Sequence, residues 1–154
     1  MMLVSIVIPT LAAGEPLAEC LASIREQSHQ PVEVFVIDNS AAGKARAVDG
    51  ATAVRVIDNA ENVGFGAAAN QGIAASSGEF VLVLNDDAVL HRDAVQLLSA
   101  EMKKRYEIGM CAPQVRFHRD PRIDSAGMLV ARDGSSKQRG HGEPPGKYPR
   151  RGQA

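Results

Sequence analysis

The sequence predicts an α/β fold in which helices cover both faces of a mainly parallel sheet. Short apolar runs, each followed by a helical segment, recur in the N-terminal part of the chain. Strands and helices in alternation imply right-handed crossovers between parallel strands. Each run also ends in polar residues, and ligands of such sheets bind outside the carboxyl ends of the strands. The four predicted strands are residues 3–8, 32–37, 53–57 and 80–84.

Length and composition favour one sizeable core, because the chain has 154 residues of which 45% are hydrophobic. The formal net charge is −1, from 17 basic and 18 acidic residues, so no global field attracts nucleic acid or an anionic membrane. Cys20 and Cys111 stand far apart, without the spacing of a zinc site or a disulfide scaffold. We therefore expect a cytoplasmic protein with no nucleic-acid partner.

The first strand, residues 3–8, stops at Pro9 and Thr10, since proline cannot donate to a central ladder. The run has no basic leader or cleavage site and is too short to span a bilayer, so we expect no transmembrane segment. Pro16 is suited to opening the first helix. Cys20 shares the inward face of that helix and is expected to fill the core rather than react.

The second and third strands are also followed by polar residues. A short alanine-rich helix over residues 41–48 separates these strands, and a loop turning into a small-residue helix, which packs closely on the sheet, follows the third. The polar residues are Asp38, Asn39 and Ser40 after the second strand, and Asp58 and Asn59 after the third.

The fourth strand, residues 80–84, is an unbroken apolar run that predicts burial on both faces. It ends in Asn85, Asp86 and Asp87. Adjacent carboxylates repel each other, and a divalent cation such as Mg²⁺ or Mn²⁺ between them relieves that repulsion. Such ions usually bind one or two protein carboxylates together with oxygens of a substrate phosphate. The alternative is that Asp86 or Asp87 caps a helix that begins near His91.

Residues 64–69, GFGAAA, match a dinucleotide-binding fingerprint, and Asp86 lies about twenty residues further on. This predicts NAD binding as a remote alternative. Against it, six residues separate the third strand from Gly64, and this unit is not the first of the fold.

After Leu90 the pattern predicts one amphipathic helix over residues 93–105, with an extended stretch over 108–117 and another over 128–132. The inward positions of the helix are predicted to be Ala94, Leu97, Leu98 and Met102. Residues 133–154 hold five glycines, three prolines and five basic residues and cannot build a core. We expect a core over residues 1–132, and a flexible tail or the start of an acceptor-side loop over 133–154.

Four motifs in order resemble family-2 glycosyltransferases with the Rossmann-like GT-A fold, and are most similar to bacterial rhamnosyltransferase-like members that build cell-surface polysaccharides. The resemblance covers about residues 3–132. The motifs are SIVIPT at 5–10, VIDNS at 36–40, NVGFGAAANQGI at 62–73 and GEFVLVLNDDAVL at 78–90.

The resemblance implies a role for each strand end. Asp38 would hydrogen-bond the base, Asp86 would lie near the ribose, and Asp87 would bind Mn²⁺ or Mg²⁺. Asn85 stands where the family's metal motif has its first aspartate, so the cluster brings one charge fewer. The remaining implied nucleotide-sugar-binding residues are Pro9, Thr10, Asn39, Asn62, Gly64, Asn70 and Asn85.

The resemblance also implies inverting, metal-dependent transfer of a sugar from a UDP- or dTDP-linked donor to a saccharide or lipid-linked acceptor, in the cytoplasm or peripherally at the inner membrane face. The acceptor hydroxyl must lose a proton to a base. We assign no base: Asp120 and Asp124 are placed by no motif, and the chain ends at Ala154 before the family's later acidic pair. The chain is thus expected to be the donor-binding portion of a longer enzyme, with a non-catalytic nucleotide-binding fragment or pseudoenzyme as the alternative.

Overall fold

A computed structural model of the chain describes residues 2–48, 50, 54–104 and 107–148. The fold divides into two compact units, Met1–Ala100 and Glu101–Ala154. The predicted core over residues 1–132 and tail over 133–154 remain predictions. Among the described residues, the strands after residue 100 pair with each other in small antiparallel sheets.

The first unit contains a four-stranded sheet in the order β3-β2-β1-β4, and all of its pairings are parallel. The parallel sheet predicted from the sequence is therefore confirmed. The strands are β1 (Val4–Thr10), β2 (Val32–Asp38), β3 (Arg55–Asp58) and β4 (Phe80–Val83). Ala53, the predicted start of the third strand, lies outside the described residues.

Helices lie on both faces of this sheet, as predicted. They are α1 (Glu15–Arg25), α2 (Phe65–Ala75) and α3 (Ala94–Lys104). One cluster joins Ile6 and Ile8 of β1 to α1 and to Val95 of α3. A second cluster, on the opposite face, joins Val7 of β1 to Ala68 of α2. None of the described helices combines the length and the apolar character needed to span a membrane.

The predicted close contact of α2 with the sheet is confirmed at Gly72. A Cβ atom at this position would lie 2.3 Å from a methyl carbon of Val7, well inside van der Waals contact. Only glycine lets the helix backbone come this near to β1, because any side chain there would push the helix away from the sheet.

Two predictions about the helical segments are wrong in detail. Residues 41–48 form a 3₁₀ turn, Lys44–Ala47, instead of an alanine-rich helix. In α3 the buried residues are Val95 and Ser99; of the predicted inward residues, Ala94, Leu98 and Met102 are half-buried and Leu97 is exposed. Val95 packs in the cluster with α1 and β1, and its N–H donates to the side-chain oxygen of Gln27 at 3.1 Å.

The predicted burial of β4 on both faces is also wrong. Val81 and Val83 are each 39% exposed, on the face of the sheet that they share with Val7. In the described sheet β4 is an edge strand, and α2 lies over its neighbours instead. A continuous apolar run has no alternation, so the sequence could not show which face lacks a cover.

The second unit contains two antiparallel hairpins. β5 (Val115–Arg116) pairs with β6 (Ile123–Ser125), and β7 (Met128–Val130) pairs with β8 (Ser136–Gln138). Only two residues of the stretch predicted over 108–117 form a strand, whereas β7 matches the prediction over 128–132. β8 lies inside the predicted tail, since antiparallel pairing uses backbone groups and does not require buried side chains.

Candidate functional site

The carboxyl ends of β1, β2 and β3 lie side by side. Thr10 is in register with Asp38, and Asp38 is in register with Asp58. Backbone hydrogen bonds continue the ladder one residue further, from Asn39 N–H to the Thr10 carbonyl at 2.8 Å and from Asn59 N–H to the Asp38 carbonyl at 2.9 Å. The polar residues that follow these strands therefore form one row, which we call the strand-end row.

The end of β4 joins this row through a side-chain hydrogen bond. The Thr10 hydroxyl donates to Oδ2 of Asp86 at 2.5 Å. The same hydroxyl oxygen accepts the N–H of Ala13 at 3.2 Å. Thr10, which is 2% exposed, thus holds both the loop after β1 and one oxygen of Asp86.

Asn85, Asp86 and Asp87 lie in a turn that is closed by the Ala88 N–H, which donates to the Asn85 carbonyl at 3.3 Å. The alternative that Asp86 or Asp87 caps a helix is wrong, because the next helix begins at Ala94. Asp87 is exposed and makes no side-chain hydrogen bond to any residue that the structure describes. Both of its carboxylate oxygens can therefore take an external ligand.

The donor set of this turn suits a hard divalent cation only in part. Asp86 and Asp87 offer carboxylate oxygens, the ligands that Mg²⁺ and Mn²⁺ prefer. Within the described ranges, no group of three or more His, Cys, Asp or Glu side chains is arranged to hold a metal. The residues fit a cation that takes one or two protein carboxylates and completes its shell with phosphate or water oxygens.

Cys20 lies beneath the turn and is fully buried. Its thiol donates to the Asn85 carbonyl at 3.7 Å. Burial raises the pKa of Cys20 to about 12, and the negative charges of Asp86 and Asp87 add to the shift. The thiol is therefore neutral and unreactive at physiological pH, in agreement with its predicted role as core filler.

Asp38 is 1% exposed and organises the loop that follows β2. Its Oδ1 accepts the Ser40 N–H at 2.8 Å, and its Oδ2 accepts the Ala45 N–H at 2.7 Å. Burial alone would raise the pKa of Asp38, but the hydrogen bonds from Ala45 and Ser40 and the charge of Lys44 outweigh it and lower the pKa. The side chain is thus a buried carboxylate that keeps its charge.

Asn39 connects the row to the loop before α2. Its side-chain oxygen accepts hydrogen bonds from the Asn59 side chain and from the Val63 N–H, and its NH₂ group donates to Asn62. Asn59 in turn exchanges two hydrogen bonds with Gln71 of α2, each 2.9 Å long. Sequence reasoning did not place Gln71 at the site, since a helical glutamine gives no signal of its partner.

The remaining predicted residues differ in their surroundings. Gly64 has a φ of +82°, a conformation that favours glycine, and its N–H donates to the Asn62 side chain at 2.9 Å. Asn62 and Asn70 are exposed, whereas Pro9 is buried within β1. Hydrogen bonds therefore connect most of the predicted set into one edge of the sheet, and Asn70 stands apart on α2.

In the second unit, Asp120 and Asp124 each face a basic partner. Arg122 donates to both oxygens of Asp120, at distances down to 2.6 Å, and its hydrogen bonds lower the pKa of that carboxyl. Asp124 lies 3.4 Å from Nδ1 of His141. An ion-paired carboxylate of low pKa is a poor proton acceptor, so Asp120 is not suited to act as a general base.

Comparisons with solved structures bear on the fold. The chain is similar to TarS residues 1–349 from S. aureus, with a TM-score of 0.61, 22% identity, and coverage of 73% of this chain and 39% of that one. It is also similar to the mannosyltransferase PcManGT from Pyrobaculum calidifontis, with a TM-score of 0.59, 22% identity and coverage of 64% and 32%. These likenesses confirm the predicted GT-A type of α/β fold.

Sequence comparisons lead to the family. The glycosyltransferase GlyG of Streptococcus pneumoniae serotype 4 is 24% identical over an alignment of 108 residues, with coverage of 67% of this chain and 36% of that protein. The chain thus spans between 32% and 39% of the length of these relatives. Residues 5–146 match the sequence model "Glycosyl transferase family 2", which covers most of the chain. This match excludes the dinucleotide-binding alternative, and the chain belongs to glycosyltransferase family 2.

Proposed function

We propose that this chain binds the nucleotide-sugar donor of an inverting glycosyltransferase at the strand-end row. The observation that supports this most directly is the junction of Thr10 with Asp86, which sets an acidic turn beside the ends of the other strands. Among the similar structures, TarS residues 1–349 has been solved with UDP and with UDP-GlcNAc, and PcManGT with GDP-Man and Mn²⁺.

The proposed site has a part toward the nucleotide and a wall beside the ribose and the sugar. Pro9, Thr10, Asp38 and Asn39 form the part toward the nucleotide. Asp38 is proposed to hydrogen-bond the base through lone pairs left over after its two backbone hydrogen bonds, and because the residue is 1% exposed this contact requires the loop that it holds to open. The wall beside the ribose and the sugar is formed by Asn62, Gly64 and Asn70. Asn85 and Asp86 complete the site, with Asp86 near the ribose.

A divalent cation, Mn²⁺ or Mg²⁺, is proposed as the cofactor, with Asp87 as its protein ligand. When bound, it supplies Lewis-acid stabilisation of the charge on the leaving diphosphate. Asp86 stays fixed by the Thr10 hydroxyl and adds negative charge at the same turn. Because two carboxylates are available, we expect the bare metal to bind weakly until a nucleotide supplies further oxygens.

The complete reaction needs more than donor binding. A base must take the proton of the acceptor hydroxyl, and we assign no residue to that role. The acceptor is proposed to be a saccharide or a lipid-linked saccharide in bacterial cell-surface polysaccharide synthesis, on the cytoplasmic side of the membrane. The donor is proposed to be UDP- or dTDP-linked.

Titration calorimetry with UDP, dTDP and GDP, each with and without Mn²⁺, tests the proposal. We expect one of these nucleotides to bind in a Mn²⁺-dependent way, and Mn²⁺ alone to bind weakly. Asp87→Ala should abolish the Mn²⁺ dependence. Glu79→Gln is the matched control, because Glu79 is an exposed acid at the other end of β4.

Two results would contradict the proposal. Absence of nucleotide binding under all conditions would refute donor binding by this chain. Nucleotide binding that is equally Mn²⁺-dependent in Asp87→Ala would refute the role of Asp87. If the longest natural form turns over the donor and its Asp87→Ala variant does not, the protein is a transferase and not only a nucleotide-binding module.

A further inference from the structure

Four side-chain amides run from α2 to the rim of the strand-end row. We call Gln71, Asn59, Asn39 and Asn62 the amide chain. Gln71 and Asn59 exchange two hydrogen bonds, Asn59 donates to Asn39 at 3.0 Å, and Asn39 donates to Asn62 at 2.9 Å. Each amide thus fixes the next one along.

Two backbone N–H groups determine which ends of these amides carry the oxygen and which carry the nitrogen. The N–H of Val63 points to the side-chain oxygen of Asn39 at 3.2 Å, and the N–H of Gly64 points to that of Asn62 at 2.9 Å. A backbone N–H can only donate, so the atoms that it meets must be oxygens. The oxygen and nitrogen ends of Asn39 and Asn62 are therefore determined by the backbone.

The remaining orientations follow from these two. With its oxygen fixed, Asn39 must receive an N–H from Asn59, and the NH₂ group of Asn59 then serves both Asn39 and Gln71. This leaves the Asn59 oxygen to accept from the NH₂ group of Gln71. Rotating any one amide by 180° would place two oxygens or two NH₂ groups against each other.

Asn62 is the exposed end of the amide chain. Its oxygen already accepts from Asn39 and from Gly64, which uses both lone pairs. Its NH₂ group makes no hydrogen bond to the described residues, and the residue is exposed. Toward a ligand, Asn62 can therefore act only as a hydrogen-bond donor.

We propose that the amide chain is a positioning device that presents the Asn62 NH₂ group to an acceptor oxygen of the nucleotide-sugar, on its ribose, its sugar or its phosphates. This rests on the proposed function of the same site. Asn59 and Gln71 are positioning residues, because they act through Asn39 and Asn62 and sit behind them in the chain of hydrogen bonds. The device also holds the loop between Asn59 and Gly64 at the row.

The first test compares two identical substitutions of helical glutamines. Gln71→Met keeps the length of the side chain and removes both hydrogen bonds to Asn59. Gln96→Met is the control, since Gln96 lies on α3 and its side chain accepts one hydrogen bond among the described residues, from Ser28. We expect Gln71→Met to weaken binding of the nucleotide that the wild type prefers, with Mn²⁺ present, by about 2- to 10-fold, the worth of one net hydrogen bond. Gln96→Met should leave the affinity unchanged, with a similar midpoint of unfolding.

A second variant addresses Asn62 directly. Asn62→Asp keeps an oxygen for Asn39 and Gly64 and replaces the outward NH₂ group by an oxygen that cannot donate. We expect at least about a 10-fold loss of nucleotide affinity, since the lost donor is replaced by a negative charge facing an acceptor. Adding Gln71→Met to Asn62→Asp should then cause little further loss, because Gln71 acts through Asn62.

Amide hydrogen exchange supplies a readout that needs no ligand. In Gln71→Met the N–H groups of Val63 and Gly64 should exchange faster than in the wild type, while those of β1 stay protected. Unchanged exchange, or unchanged affinity in Gln71→Met or in Asn62→Asp, would overturn the positioning role while nucleotide binding by the wild type stands. A wild type that binds no nucleotide would overturn the proposed function and this inference together.

Discussion

Thr10 donates its hydroxyl hydrogen to Asp86 across the ends of two adjacent strands, although the residues lie 76 positions apart in the sequence. The contact joins the loop after β1 to the acidic turn after β4. One oxygen of Asp86 and both oxygens of Asp87 have no hydrogen-bond partner among the described residues. Much of what we expect of this site follows from that arrangement.

Thr10→Val should free the Asp86 carboxylate and the Ala13 N–H while keeping the volume of the side chain. We expect a loss of about 1–3 kcal/mol in the free energy of unfolding, because a buried polar group loses its partner. Mn²⁺-dependent nucleotide binding should weaken as well. Urea unfolding and calorimetry measure the two effects. Thr10→Ser keeps the hydroxyl and should restore both, and a stable Thr10→Val protein with unchanged binding would contradict the role of this contact.

Asp38→Ala should reduce nucleotide affinity by roughly 1.5–3 kcal/mol if the carboxylate makes a charge-assisted hydrogen bond to the base. The same change removes the acceptors of Ser40 and Ala45, so a general loosening of the loop must be distinguished from loss of base contact. Inorganic pyrophosphate, which has no base, provides that distinction in calorimetry. An equal loss for the nucleotide and for pyrophosphate would count against base reading by Asp38.

The contact between Gly72 and Val7 predicts opposite effects of one substitution at two positions of α2. Gly72→Ala places a methyl group against Val7 and should cost about 1–3 kcal/mol of stability, because the packed helix must move. Gly66→Ala meets no atom within 4 Å and should stabilise the protein by about 0.5–1 kcal/mol, since alanine favours a helix. Thermal or urea unfolding decides, and a stabilising Gly72→Ala would show that the contact is not tight.

Glu33 predicts a pH dependence at the opposite end of the sheet. Hydrogen bonds from the Ser5 hydroxyl and from Ser77, aided by Arg55 at 3.8 Å, lower the pKa of Glu33. A carboxyl whose pKa is lower in the folded state stabilises the fold above its unfolded pKa of about 4.3, and this contribution disappears as the pH falls through the folded value.

We therefore expect Glu33→Gln to be less stable than the wild type by about 0.5–1.5 kcal/mol at pH 7, with the difference shrinking at lower pH. Urea unfolding between pH 7 and pH 3 measures it. Glu79→Gln, at an exposed acid, serves as the control. A difference that stays constant down to pH 3 would show that the charge of Glu33 contributes nothing.

In the second unit, we exclude Asp120 as the general base. If Arg122 holds Asp120 as a low-pKa carboxylate, Asp120→Asn should leave the turnover of the longest natural form unchanged. A fall of a hundred-fold or more, the typical contribution of a general base, would show that Asp120 takes the acceptor proton after all.

A cavity of about 580 Å³ lies away from the strand-end row, at the amino end of β2, where Arg25, Glu33 and Arg55 are among its lining residues. It borders Gly50, whose neighbours lie outside the described residues. Neither a cluster of acceptors nor the motifs in the sequence point to it, so we place no site there.

The sequence alone determined the order of the four strands and of α1, α2 and α3, the parallel sheet, and the positions of its polar strand ends. Apolar runs that stop at Pro9, Asp38 and Asn85 are local patterns, and the chain direction of parallel strands brings such ends to one edge. The close approach of α2 to β1 was likewise visible, since a helix rich in glycine and alanine can lie near a sheet.

Tertiary structure decided which atoms meet. Thr10 donates to Asp86, and Gln71 and Asn59 exchange hydrogen bonds, between segments whose spacing in the sequence carries no information about these contacts. The exposure of Val83 and the pairing of β8 depend on which neighbours are present. Side-chain hydrogen bonds and burial are properties of packed surfaces, and a linear pattern of polar and apolar residues does not specify them.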